Sequence, residues 1–344
     1  VTITQQVLIG NCAEVLKTLP SESVDCVVTS PPYWGLRDYK TEPIVWDAVE
    51  GCEHDWEEVV GKSQAPISES TNLVGGHFQG NKDISFTAVT SFCSKCGAWR
   101  GQLGLEPTPQ LYIQHLVGIF DEVKRVLKKT GTCWVNLGDT YGGTTKTAKS
   151  LAQIPSRFAI AMTDSGWILR NEIIWWKRNC MPSSAKDRFT VDFEKLFFFT
   201  KSKRYYFEQQ LEVATEPIGR AVKLGAKTLG GDAVIGSPAN RPDRKPFINN
   251  GRRNKRTVWD ITTRPYKGAH FAVFPPELVE TPIKAGCPPG GVVLDPFGGT
   301  GTTSEVARRL GRASIIIELN PDYLELVKER ARTDIPDIHS FEGG

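Results

Sequence analysis

Residues 290–334, GGVVLDPFGGTGTTSEVARRLGRASIIIELNPDYLELVKERARTD, constrain the fold more than any other stretch of the chain. An apolar run (GGVVLD) stops at a glycine-rich turn (PFGGTGTT). A helical segment follows (TSEVARRLG, closed by Gly311), then a second apolar run (RASIIIEL) and a second helix that opens on Pro321. Strand, helix, strand, helix in that rhythm predicts an α/β fold with a doubly wound, mostly parallel sheet. At 344 residues the chain has room for one large α/β domain with insertions, or for two domains.

The turn itself narrows the ligand. A phosphate-binding loop needs GxxxxGK[ST], and no lysine stands here. A dinucleotide fingerprint needs GxGxxG; Gly299 and Gly301 supply its first half, but Ser304 occupies the place of the third glycine. What remains is a nucleoside ligand without phosphates. Glycines at the strand's C-terminal end let the backbone approach such a ligand. Glu318, ending SIIIE 23 residues after Asp295, is placed to accept both ribose hydroxyls, and Asp295 can hold an ammonium group. A molecule carrying adenosine and an amino acid fits: S-adenosylmethionine.

A second corner lies far upstream. VTSPPYWGLRDY (28–39) follows the apolar run Val24–Val28, and its two prolines stop that strand, having no N–H to donate. The corner is stiff and rich in acceptors: the Ser30 hydroxyl and the carbonyls of Ser30 and Pro31. The Tyr33 ring follows at once, and Trp34 either lines the same pocket or packs. These parts suit an amino group held against a flat ring. Two acceptors aimed at the hydrogens of an exocyclic amine draw its nitrogen toward tetrahedral geometry and free its lone pair. The Tyr33 ring offers a face on which such a flat ring can stack.

Elsewhere, QLYIQHLVGIFDEVKRVLKK has helical spacing, TCWVNLGD reads as a strand ending at Gly138-Asp139, SRFAIAMTDSG as a short helix and WILRNEIIWWKR as a strand. EKLFFFTKS and RYYFE read as two strands joined by a turn, and residues 61–90 as a long polar loop. Between Glu216 and Arg256 ten basic residues face three acidic ones, a balance of +7 in 41 residues that are rich in Gly, Pro and Asn and poor in large apolar side chains. That is a solvated loop or a phosphate-contacting one; Arg241, Arg244, Lys245, Arg252, Arg253, Lys255 and Arg256 are its candidate DNA contacts.

Of eight cysteines, Cys12, Cys26, Cys133, Cys180 and Cys287 are scattered and read as small core residues. GCEH and FCSKCGAW instead bring Cys52, His54, Cys93 and Cys96, two soft pairs suited to a closed, structural Zn2+ site, with His77 as a rival ligand. No run reaches the roughly 18 apolar residues of a membrane span, and no basic-then-apolar leader opens the chain, so a cytoplasmic protein without membrane attachment is expected.

TSPPYW together with VVLDPFGGTGTT resembles the amino-group DNA methyltransferases, which methylate N4 of cytosine or N6 of adenine. The corner precedes the cofactor turn, as in their β-order group. The resemblance covers about residues 7–50, 101–210 and 257–333 and implies a Rossmann-like methyltransferase acting on double-stranded DNA. It places the methionine end of the cofactor near His270, Phe271, Phe274, Asp295, Pro296, Phe297, Gly299, Gly301 and Thr302, the ribose at Glu318 and the adenine at Asn11 and Cys12. Phe271 and Phe274 are also readable as core packing. It makes Ser30, Pro31, Pro32 and Tyr33 the catalytic corner, and serine before Pro-Pro points to N4 of cytosine. The alternatives are N6 of adenine, a zinc-containing DNA-binding module without catalysis, and transfer to RNA or a protein glutamine amide. The expected organisation is a catalytic domain (1–50, 101–215, 257–333), a zinc-binding insertion (51–100), a basic target-recognition segment (216–256) and a tail (334–344). A cognate restriction endonuclease, a monomeric or homodimeric state, and a bacterial, archaeal or phage source accompany that expectation.

Overall fold

The structure is a computed structural model that describes residues 4–36, 41–63, 84–141, 149–213, 252–263 and 274–331, with the backbone alone at 57–63 and 84–90. In chain order it begins with β1 (Gln5–Ile9), α1 (Cys12–Thr18), β2 (Val24–Thr29), β3 (Ile44–Trp46), β4 (Trp56–Ser63), β5 (Ile84–Cys93) and β6 (Trp99–Gly101). There follow α2 (Pro109–Val126), β7 (Leu127–Leu137), α3 (Ile154–Asp164), β8 (Ile168–Trp176) and β9 (Phe193–Thr200). The last are β10 (Leu211–Val213), β11 (Arg252–Asn254), β12 (Val258–Asp260), α4 (Pro276–Gly286), β13 (Val292–Asp295), α5 (Thr302–Arg309), β14 (Ala313–Glu318) and α6 (Leu324–Ala331). They group into two compact units: Val1–Ser30, Lys124–Asn136 and Gly166–Gly344, and Pro31–Val123 with Leu137–Ser165.

The first unit holds an eight-stranded sheet in the order β1-β14-β13-β2-β7-β9-β8-β12. The pairs β1–β14, β14–β13, β13–β2, β2–β7 and β12–β8 are parallel, and β8–β9 is antiparallel. The expected mixed α/β class with a mostly parallel sheet is therefore present. β2 is buried at all six positions because it lies mid-sheet, which is why VDCVVT reads as an unbroken run rather than an alternation. One side of the sheet closes with Trp134 stacked on Phe198 at 4.0 Å and with Leu278, Ile283, Val293 and Val306. Helix α5 packs on β14, α4 and α6.

Three expectations change. RYYFE forms no strand: the Tyr206 N–H donates to Thr130 O (2.8 Å) and the Glu208 N–H to Ala285 O (2.8 Å), so its donors go to two separate segments instead of one ladder. The ends of the supposed 61–90 loop belong to β4 and β5, which pair antiparallel from Trp56–Cys93 to Ser63–Ile84; residues 64–83 lie outside the described residues. The β-branched and aromatic run ISFTAVTSFC carried that signal. Cys12, Cys26, Cys133 and Cys287 are buried, but Cys180 is only half-buried after β8.

The second unit contains the four-stranded antiparallel sheet β3-β6-β5-β4 and helices α2 and α3, joined through an edge-to-face contact of Phe120 with Phe158. No helix among the described residues is long and apolar enough to cross a membrane.

Candidate active site

Parallel pairing brings strand ends of like polarity to one edge. Ile9 pairs with Glu318, Asp295 with Ile316, and Leu294 with Val27. The C-terminal ends of β1, β14, β13 and β2 thus stand side by side, carrying in that order Asn11-Cys12, Glu318, Asp295 with its glycine turn, and Ser30. Open parallel sheets place ligands at this edge.

Asp295 is fully buried. Its Oδ1 accepts from the Thr29 hydroxyl (2.5 Å) and the Phe297 N–H (3.1 Å), and its Oδ2 from the Thr303 hydroxyl (2.6 Å). Burial pushes its carboxyl up to about 6, against the pull of those donors. In this arrangement Asp295 fastens the glycine turn to the end of β2. Thr29 and Thr303 were not foreseen from the sequence; a hydroxyl ending an otherwise apolar strand and the second threonine of TGTT were the available signals.

Within the turn, a Cβ on Gly298 would stand 2.0 Å from Ile316 Cγ2, so only glycine fits. Gly299 and Gly301 have φ of +52° and +78°, values that favour glycine. The Gly299 N–H donates to Glu318 Oε2 (2.7 Å) and the Asn320 N–H to Oε1 (2.8 Å). Burial pushes the Glu318 carboxyl up to about 7. The Thr302 hydroxyl, at the first residue of α5, is buried without a hydrogen-bond partner among the described residues. Pro296 is buried and Phe297 half-buried. Asn11 caps α1, its Oδ1 accepting from the Ala13 N–H (3.1 Å), and Cys12 is buried beside it. Phe274 packs against the core, and His270 and Phe271 lie outside the described residues.

Ser30 is half-buried, Pro31 buried, Pro32 and Tyr33 half-buried. In the second unit the corner is braced from behind. The Tyr112 hydroxyl donates to the Pro32 carbonyl (2.7 Å), the Gly35 N–H to Gly104 O (2.8 Å), and the Trp34 indole N–H to Glu106 O (2.8 Å). Trp34 therefore packs. A Cβ on Gly138 would meet Tyr33 Cε2 at 2.6 Å, so that glycine seats the ring. Glu106 Oε1 lies 3.0 Å from His115 Nδ1 and Asp47 Oδ2 3.2 Å from its Nε2, while Trp46 and Trp99 stack on the imidazole. In the sequence His115 is only one residue of the helically spaced segment QLYIQHLVGIFDEVKRVLKK.

Cys52, His54, Cys93 and Cys96 converge, with their ligand atoms all within 4.8 Å of one another. The Gly97 N–H donates to Cys93 O (2.9 Å) at φ +77°, the tight turn of a knuckle. Of the basic residues, Arg241, Arg244 and Lys245 lie outside the described residues. Arg253 and Arg256 pair with Glu212 (2.8 and 3.3 Å). Partial burial opposes ionisation of Glu212, but the hydrogen bond and charge of Arg253, then Arg256, hold its carboxyl below the usual range. Lys255 sits over the Trp259 ring, and Arg252 is exposed.

A family model described as DNA methylase, of the N6/N4 type, matches residues 24–329. The chain belongs to this family of DNA methylases. It is 34% identical over 345 residues to the Type II methyltransferase M.XycI of Xanthomonas campestris pv. cyanopsidis, covering 93% of this chain and 85% of that protein. Among solved structures, the cytosine-N4-specific PvuII DNA methyltransferase superposes with a TM-score of 0.58 at 19% identity, covering 98% of this chain and 89% of that one. The S-adenosyl-L-methionine complex of TTHA0409 from Thermus thermophilus, a putative DNA modification methylase, gives 0.52 at 22% identity, with 97% of each chain covered. These likenesses show a methyltransferase fold.

Proposed function

We propose that this DNA methylase transfers a methyl group from S-adenosylmethionine to N4 of a cytosine flipped out of duplex DNA. The observation that carries the reading is the Thr29–Asp295 hydrogen bond, which fixes the residue before Ser30 to the glycine turn. The orphaned, buried Thr302 hydroxyl is a donor suited to the ligand's carboxylate, and Glu318 is an acceptor suited to its ribose. S-adenosylmethionine supplies a methyl group on a positively charged sulfur. The Ser30 hydroxyl and the Pro31 carbonyl accept from the two amino hydrogens, concentrate the lone pair on nitrogen and stabilise the positive charge that develops there. The N–C bond forms as the S–C bond breaks, and one amino proton is lost to solvent. Tyr33 stacks on the extruded base.

The remaining parts follow the same reading. Residues 1–50, 101–215 and 257–333 form the catalytic domain, and the 216–256 segment, with Arg252 at its described end, reads the target. In the 51–100 insertion, three thiolates and the His54 ring hold one structural Zn2+; tetrahedral ligand atoms stand about 3.5 Å apart, and these are nearly gathered to that spacing. A Type II methyltransferase role follows the relative's name, and a cognate restriction endonuclease is the partner such a role would have. The test is tritiated methyl transfer to unmethylated DNA, followed by digestion to nucleosides and mass analysis. N4-methyldeoxycytidine is expected. N6-methyldeoxyadenosine would move the reading to adenine, and label in RNA or protein would end it.

A further inference from the structure

Large apolar side chains are unusually exposed between β8 and β9. Met181 is 87% and Phe189 96% exposed, and Trp176, Val191 and Phe193 around them are also open to water. The loop 177–192 carries Lys177, Arg178, Lys186 and Arg188 against Asp187 and Asp192. Isolated exposed apolar residues need no explanation, but two nearly bare ones on a short basic loop do.

The base of this loop is fixed. The Lys177 N–H donates to Asp192 O (2.7 Å), the Cys180 N–H to Lys177 O (3.1 Å), and the Trp176 indole to Asp192 Oδ2 (2.8 Å). Arg178 lies over the Trp176 ring and pairs with Asp260. Its position on the sheet is equally definite. Thr29 pairs with Val135; the next residue, Asn136, donates to Glu194 Oε2 (2.7 Å), and Glu194 Oε1 takes Lys177 (2.6 Å). The loop therefore leaves the sheet at the edge that carries Ser30.

We propose that the 177–192 loop is a wedge for duplex DNA, with Phe189 entering the base stack where the target base leaves it and Lys186 and Arg188 on the flanking phosphates. This rests on the base-flipping reading above. A flat ring substitutes for the lost stacking of an extruded base, and cations beside it suit the backbone. A protein partner or a second copy of the chain could also cover apolar side chains; Lys177 and Arg178 are taken up by Glu194 and Asp260, so it is the place of the loop, at the edge where the base must arrive and with Lys186 and Arg188 next to Phe189 in the chain, that favours the polyanion.

The test uses the full chain and a short duplex containing a site located by sequencing DNA that the enzyme has methylated. A second duplex carries a mismatch opposite the methylated base, which lowers the cost of extrusion. Phe189→Ala is expected to slow methyl transfer on the matched duplex by about ten- to a hundredfold, the worth of one stacking contact. The mismatch should restore most of the loss, and Phe189→Leu should fall between. Three results would overturn the proposal: a matched-duplex rate within twofold of the parent, a loss the mismatch does not relieve, or a change of oligomeric state in sedimentation caused by Phe189→Ala. If the parent enzyme methylates no DNA, the fault lies in the base-flipping reading and not in the wedge.

Discussion

Glu318 gives the sharpest quantitative expectation. The residue is 9% exposed; its carboxyl accepts two backbone N–H groups and is pushed up to about 7 by burial. Ribose hydroxyls are donors, so they favour the ionised form. With a pKa near 7 about a tenth of the carboxyl is ionised at pH 6 and about nine-tenths at pH 8. Affinity for a ribose-containing ligand should therefore rise about tenfold over that interval, near 1.4 kcal/mol, and level off above it. The sign for the unliganded protein is opposite. The folded chain keeps a proton that the unfolded chain has lost between about pH 4.5 and 7, so the Glu318 contribution to stability falls as pH rises through that window. The assay is calorimetric titration of S-adenosylhomocysteine and of adenosine, which has no amino-acid group to titrate, at pH 6, 7 and 8. Glu318→Gln serves as control and should flatten the adenosine series. It also puts an amide N–H against one of the two backbone donors and should weaken binding at every pH. Parallel pH slopes for parent and variant would refute the reasoning.

Three further outcomes follow from single contacts. Gly298→Ala drives a methyl group into Ile316, with Ile317 O at 3.2 Å; overpacking of about 1–3 kcal/mol should lower the thermal midpoint and the affinity for S-adenosylhomocysteine together. Tyr112→Phe frees the Pro32 carbonyl while costing only about 0.5–1.5 kcal/mol of stability; kcat should fall about tenfold or more with cofactor affinity unchanged, and an unaltered kcat would remove Tyr112 from its positioning role. One zinc per chain should appear by elemental analysis, and Cys96→Ser should lose it and destabilise the second unit, read as faster proteolysis between residues 51 and 100.

Much of the candidate site, as the strand ends present it, was legible because strand ends announce themselves locally. The prolines after Thr29, the glycines after Asp295 and the acid ending SIIIE each carry a local physical signature, and parallel topology then gathers them on one edge. What escaped depends on partners distant in sequence. Thr29 meets Asp295 across 266 residues, and Tyr112 meets Pro32 across 80, so no spacing rule reveals either. The clasp of His115 by Glu106, Asp47, Trp46 and Trp99 looked like one more residue on the amphipathic helix α2. RYYFE misled because three consecutive aromatics favour a strand, whereas hydrogen bonds to two different segments keep it out of the sheet.

The most direct measurement is a crystal structure with S-adenosylhomocysteine bound. The account predicts the ribose on Glu318, the amino-acid end over the glycine turn at Thr302, and the sulfur directed toward Ser30. Density for the ligand on any other face of the sheet, with Ser30 out of reach of the sulfur, would contradict it.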